Sequence, residues 1–551
     1  MPNPRPAIVA LSLLLLAAPG ASARAADAAG LYGDYLAARF ATAQSDPAMA
    51  ATWYLDAVEH SPHEADLLRQ AFLASALSGR AEAAGLARLL PGDRYAQLWL
   101  AEIAAKAGEW SAVETRARGL PHDGLTDVLR PLLLAWAAQA QGRTEAALGL
   151  LGPHAASGPF QGLFALHEGL IADLAGRATK ATAALTQARE EQPGAPSLRL
   201  AQMLASFDAR HDRQADGLGV LAQAAAAAPE IGLALPALSA NAARPVVGDA
   251  AEGIAEAFLA AAGSLRMQDQ GQPAMLLLRM ALDLRPDLTA ARLLAAELDD
   301  ARLRPEAARR TLGAIGAGDP LFPLARLHLA ALTARAGDTA AALETLDALA
   351  LACPHSALPL ARKAALLRAK GQFAEAVSVY DTAITRENAD WTLYYERGSA
   401  RDQAHDRAGA EADMRRALEL APEQPFVLNY LGYSWAERGE HLEDARRMIV
   451  TAAQAEPNDG AIVDSLGIVM LRQGDVAGAI AALERATELM PDDATVNGHL
   501  GDAYAAAGRR LEAGYEWRRA LMLHPEPEEA ERLRAKLDVP PRQSASVEKQ
   551  P

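Results

Sequence analysis

The sequence predicts an all-α protein made of stacked helical hairpins, on three observations. Hydrophobic residues are 51% of the 551 and aromatics only 5%. The core is therefore aliphatic and largely Ala, which has the best helix propensity and lets neighbouring helices approach closely. A small residue recurs at Ala274, Ala308, Ala342, Ala376, Ala410, Ala445, Ala479 and Ala513, spaced by 34 with a single 35. The segments close on Pro286, Pro320, Pro354, Pro422, Pro457, Pro491 and Pro525, with Asn388 as the one departure. A fixed period of this length marks one supersecondary unit repeated along the chain.

Residues 1–25 read as a signal peptide. Arg5 precedes an apolar run from Ala7 to Ala18, which is shorter than the ~20 residues that cross a bilayer core. Pro19 and Gly20 follow, then Ala21-Ser22-Ala23 and Ala23-Arg24-Ala25, both of the A-x-A cleavage type. An uncleaved anchor is the alternative. Residues 17–30 contain no Cys, so a lipoprotein anchor is not expected, and the mature chain is expected in a bacterial periplasm. Residues 26–229 form a degenerate array, in which the small position passes through Ala50, Ala84, Val113, Ala147, Ala181 and Gly217 at spacings of 34, 29, 34, 34 and 36. Then 57 residues separate Gly217 from Ala274. The surplus falls around Pro229, Pro236 and Pro245, which limit any helix to a short piece. Residues 230–254 are read as an inserted helix and loop, with one degenerate repeat and a long loop as the alternative. Residues 255–525 carry eight regular repeats, giving about 14 hairpins in all. At 526–538, Ala530, Leu533 and Leu537 share one helical face, as a solvating cap requires. Residues 539–551 have no apolar periodicity and read as a disordered tail.

Within a repeat each position has a physical reason. Ala479 and Ala486 lie seven apart on one face of a second helix, with Leu483 supplying bulk between them. Gly474 supplies positive φ to end the first helix, and Asp475 caps the second. Pro491 lacks an amide hydrogen and stops the second helix, and Asp492 or Asp493 caps the next. Gly432, Gly467 and Gly501 keep the same register. These residues resemble the tetratricopeptide repeat (TPR) family, which implies an α-α superhelical solenoid.

Chemistry is not visible in the residues. With 53 Lys and Arg against 69 Asp and Glu the formal charge is -16, which disfavours a grip on nucleic-acid phosphates. A single Cys, Cys353, excludes a disulfide framework and multi-cysteine metal sites. The metalloprotease, nucleophile-elbow, P-loop and dinucleotide motifs are all missing. His60 and His63 flank Pro62 at a repeat junction, where capping or solvent exposure is expected rather than metal binding, and His122 with Asp123 is read the same way. No catalytic residue, metal or cofactor is expected. Protein partners are.

The TPR resemblance implies a concave face lined by the first helices, carrying Thr392, Tyr395 and Ser399, then Phe426, Asn429 and Tyr433, then Asp464 and Arg472, then Thr495 and Asp502. The expected partner-binding groove is Tyr395, Ser399, Asn429, Tyr433, Asp464, Arg472 and Asp502. Tyr and Asn offer large contact area with hydrogen-bonding tips. Local packing between adjacent first helices is the other reading of them. None of these positions is Lys, which argues against a clamp for a terminal carboxylate, and the mixed charge of Asp464, Asp502 and Arg472 favours recognition by shape. NYLGYSWAERG, IVDSLG and VNGHLGDAY, within Ala357 to Leu537, are similar to a group of bacterial envelope TPR proteins. Some of these are adaptors for carboxyl-terminal processing proteases. That likeness implies a protease-adaptor role as one reading. A scaffold for a secretion or polysaccharide-export complex is the alternative.

Overall fold

The computed structural model describes residues 22–386 and 389–538. Most of the signal-peptide segment, the Asn388 position and the 539–551 tail lie outside the described residues. Among those described there is no strand. The helices fall into fourteen consecutive hairpins, from Ser22–Ala43 with Pro47–His60 to Ala494–Ala506 with Arg510–Met522, plus the short Leu235–Asn241 helix and the terminal Pro527–Leu537 helix.

The sequence signals account for the hairpins. Ala479, Leu483 and Ala486 are wholly buried. Gly474 takes φ of 84°, Asp475 accepts from the Gly478 amide at 3.0 Å, and Asp493 rather than Asp492 caps the following helix. Gly467 has a further duty, since a Cβ there would sit 2.5 Å from Leu483 Cγ. The two helices of that hairpin therefore cross at contact distance. Of the fourteen small positions one is displaced. Ala84 is half-buried and Ala83, 1% exposed, takes the inward place. That second helix, Glu82–Arg88, is only seven residues long, which accounts for the anomalous spacing that follows it.

The described residues separate into two compact units, one running to Thr345 and the other starting at Leu346. The division falls inside the Thr339–Ala352 helix, well past the 230–254 insert, so the repeats built on Ala274 and Ala308 join the first unit. The reason is the hairpin Ala250–Met267 and Gly271–Leu284. Its first helix packs on the Gly124–Ala140 and Gln161–Leu174 helices, and its second on Ala65–Ser78 and Arg94–Lys106. All four are first helices of the preceding repeats, so this hairpin covers their inner face. Gly253 makes the approach possible, because a Cβ there would lie 2.3 Å from the buried Trp136 ring. Trp136 Nε1 donates to His167 Nδ1 at 3.0 Å, and burial pushes His167 down to about 3, so it is a neutral acceptor. Glu256 closes the other side, bridged by Arg199 Nε at 3.0 Å and Arg285 Nη1 at 3.1 Å. One hydrophobic cluster runs from Ala38 to Leu298 through these contacts.

In the second unit the first helices Leu358–Ala369, Trp391–Gln403, Pro425–Arg438, Gly460–Arg472 and Ala494–Ala506 form one side. Successive first helices touch along much of it, notably Pro425–Arg438 with Gly460–Arg472 and the latter with Ala494–Ala506, whereas the second helices make no comparable contact with one another. The first helices thus define the inner face. The Pro527–Leu537 helix ends the stack as a cap, with Ala530 and Leu533 buried.

Candidate partner-binding face

Capping fixes the register in which each first helix shows its residues. Asp390, Asp459 and Asp493 each accept from amides at the helix start, and Gly439 ends the Pro425–Arg438 helix at φ of 69°. All seven residues expected from sequence lie on these first helices, in different surroundings.

Tyr395 stands in an aromatic row, its ring centroid 6.3 Å from Trp391 and 6.2 Å from Tyr430. Burial, reinforced by Glu396, raises its hydroxyl pKa. Ser399 is half-buried on the same helix. One helix on, Phe426 is 45% exposed, and Asn429 Oδ1 is buried without a hydrogen-bond donor among the described residues. Tyr433 lies among charges. Burial first, then Glu437 and Asp464, push its hydroxyl up to about 12, against the pull of Arg532 and Arg472. Tyr433, Asp464 and Arg472 are therefore brought together. Arg472 is exposed.

Asp464 and Asp502 are tied up internally. Asp464 is 6% exposed and accepts from His499 Nδ1 at 2.9 and 3.0 Å. Burial opposes charge on the ring, but the Asp464 hydrogen bond and the charges of Asp464, Asp502 and Glu529 outweigh it and hold His499 above its ordinary value. Asp502 accepts from Trp517 Nε1 at 2.9 Å and from Lys536 Nζ at 2.8 Å on both oxygens. The two acids thus contribute little free negative charge to the face. They order the end of the array and dock the cap helix. His499 and Lys536 were not among the residues singled out from sequence, although His499 follows Asp464 by 35 residues, one repeat on, and this spacing places the two on consecutive first helices.

Among the described residues no group of three His, Cys, Asp or Glu side chains is placed to hold a metal ion, and no helix is long and apolar enough to cross a membrane. Cys353 is half-buried, and burial pushes its thiol up despite Arg386, the opposite of what an activated nucleophile needs.

The hairpin geometry, the 34-residue period and the buried small positions define a repeat solenoid. The chain has the fold of a TPR solenoid and resembles TPR proteins in sequence. It is 31% identical over 212 residues to a TPR repeat-containing protein of Pseudomonas aeruginosa, a match that covers 38% of this chain and 35% of that protein. The match thus spans about a third of the relative's length. No family model matches. Among solved structures, a tetratricopeptide repeat protein from Parabacteroides merdae is 17% identical over 45% of this chain and 97% of its own, at a TM-score of 0.36. The Cut9–Hcn1 hetero-tetramer of the APC/C is 14% identical over 92% of this chain and 96% of that one, at 0.39.

Proposed function

We propose that this protein is an exported scaffold that holds protein partners on the inner face of its second unit. The observation that carries this reading is the contrast between the two units. The inner face of the early repeats is covered by the chain's own Ala250–Leu284 segment, packed against Trp136. The face of the second unit instead presents Phe426, the unmet Asn429 acceptor and exposed Arg472. A preformed face of this kind binds by area and polar matching, with little ordering cost. The leader pattern supports a periplasmic location. The envelope-type motifs support an adaptor that links a carboxyl-terminal processing protease to its substrates, and a scaffold of an export complex is the second reading.

Co-purification from envelope extracts separates the two. Recovery of a protease supports the adaptor, and recovery of an export channel supports the assembly scaffold. Tyr433→Ala and Asn429→Ala are expected to reduce recovery with little change in the melting profile. Undiminished recovery with both variants would rule this face out as the binding surface.

A further inference from the structure

The insert that interrupts the repeats walls a cavity in the first unit. Its volume is about 270 Å³, and it lies between the Leu198–Arg210 helix, the chain from Leu238 to Val246, and the segments at Arg285–Ala290 and Asp319–Leu321. The loop is tethered on both sides. Ser206 Oγ donates to the Arg244 carbonyl at 2.6 Å, and Arg285 Nη1 donates to the Val246 carbonyl at 2.7 Å. The cavity therefore exists before any ligand arrives.

Its lining divides by chemistry. Leu221, Leu238, Leu288 and Leu321 give an apolar floor. Arg199, Arg244 and Arg285 supply cationic groups, and only Glu256 is buried against them, shared by Arg199 and Arg285. Arg285 Nε is buried without a hydrogen bond among the described residues, 3.4 Å from the mostly exposed Asp287. Glu252 stands farther off, at 3.9 Å from Arg285. Arg244 is exposed, and its side chain makes no hydrogen bond or ion pair among the described residues. Asp319 is occupied by the Thr289 hydroxyl and by the Leu321 amide at 2.7 Å. Guanidinium groups suit planar carboxylates, a leucine floor suits a hydrocarbon body, and the nearby Asp287 and Glu252 carboxylates oppose a dianion such as phosphate more strongly than a monoanion.

We propose that this cavity binds a small monocarboxylate with a short aliphatic body, its carboxylate held by Arg244 and Arg285. Such a group comes from a simple carboxylic acid or from an amino acid, so the full chain is titrated calorimetrically with 4-methylpentanoate, leucine and isopentylamine, and with inorganic phosphate as a dianion. Saturable binding of 4-methylpentanoate, of leucine or of both is expected, weakened at least tenfold by Arg244→Ala and partly recovered by Arg244→Lys. Arg244→Ala is expected to melt as the wild type does, since it removes an exposed side chain without a partner. Binding of 4-methylpentanoate without leucine identifies the simple acid, and the reverse identifies the amino acid. Failure of both to bind, equal binding of isopentylamine or phosphate, or undiminished binding to Arg244→Ala would overturn the proposal.

Discussion

Replacing Glu102 by Gln tests how the first unit holds its inner hairpin. Glu102 is inaccessible to solvent, on the Arg94–Lys106 helix, and faces Asp283 and Arg279 of the Gly271–Leu284 helix. Among the described residues neither oxygen of the ionised carboxylate meets a donor. Lys106 Nζ is committed to Asp283 at 2.8 Å. Burial first, then the Asp283 charge, raise Glu102 from 4.5 to about 8, against Lys106 and Arg279. The folded protein therefore keeps a proton there that the unfolded chain releases. Stability is greatest below the unfolded value and falls as pH rises toward the folded one. At ~1.4 kcal/mol per unit the full shift is worth about 5 kcal/mol, a ceiling that water entry and relaxation reduce to about 2–3 kcal/mol. Gln carries no proton to lose. In urea unfolding, the stability of Glu102→Gln relative to wild type is expected to rise by about 2–3 kcal/mol between roughly pH 5 and pH 8. The comparison across pH cancels any fixed cost of burying the amide. A difference that stays flat with pH would refute both the raised value and the packing that causes it.

Three further predictions concern the hairpin contacts. Gly253→Ala would drive a methyl group into the Trp136 ring and is expected to cost at least about 1–3 kcal/mol by denaturant unfolding. Ala479→Leu overpacks a wholly buried position at a cost of about 1–3 kcal/mol, and an unchanged midpoint would mean the repeat register is misplaced. His499→Asn removes the partner of buried Asp464 and is expected to cost about 3 kcal/mol at acidic pH. Because His499 is raised above its ordinary 6.5, its stabilisation is complete below that value and is lost as pH rises through the folded value. The deficit of the variant should shrink accordingly, and a constant deficit would exclude a charged ring.

The repeat was readable because one physical demand, close helix approach, recurs at the same place in every hairpin and only small residues meet it. It slipped at Ala84, where a seven-residue helix leaves too few positions to fix the register. The prolines marked the insert, but the covering of the early inner face was not legible. The Ala250–Leu284 segment carries the same pattern as any other repeat, and what draws it inward is Gly253 against Trp136, a match between distant residues with no periodic signature. The candidate face was legible in position but not in state. Asp464 and Asp502 read as free acids because their partners, His499 and Lys536, come from the next helix and from the cap. Tyr433 and Arg472 needed no such knowledge, since spacing along their own helices places them.

Whether partners are held on the inner face of the second unit is decided by a photo-activated cross-linking residue at Phe426 in intact cells, beside the same residue at Leu511, which is 78% exposed on an outer helix. Binding at this face gives a discrete protein adduct from Phe426 that Leu511 does not give. Adducts from Leu511 alone, or the same adducts from both, would contradict it.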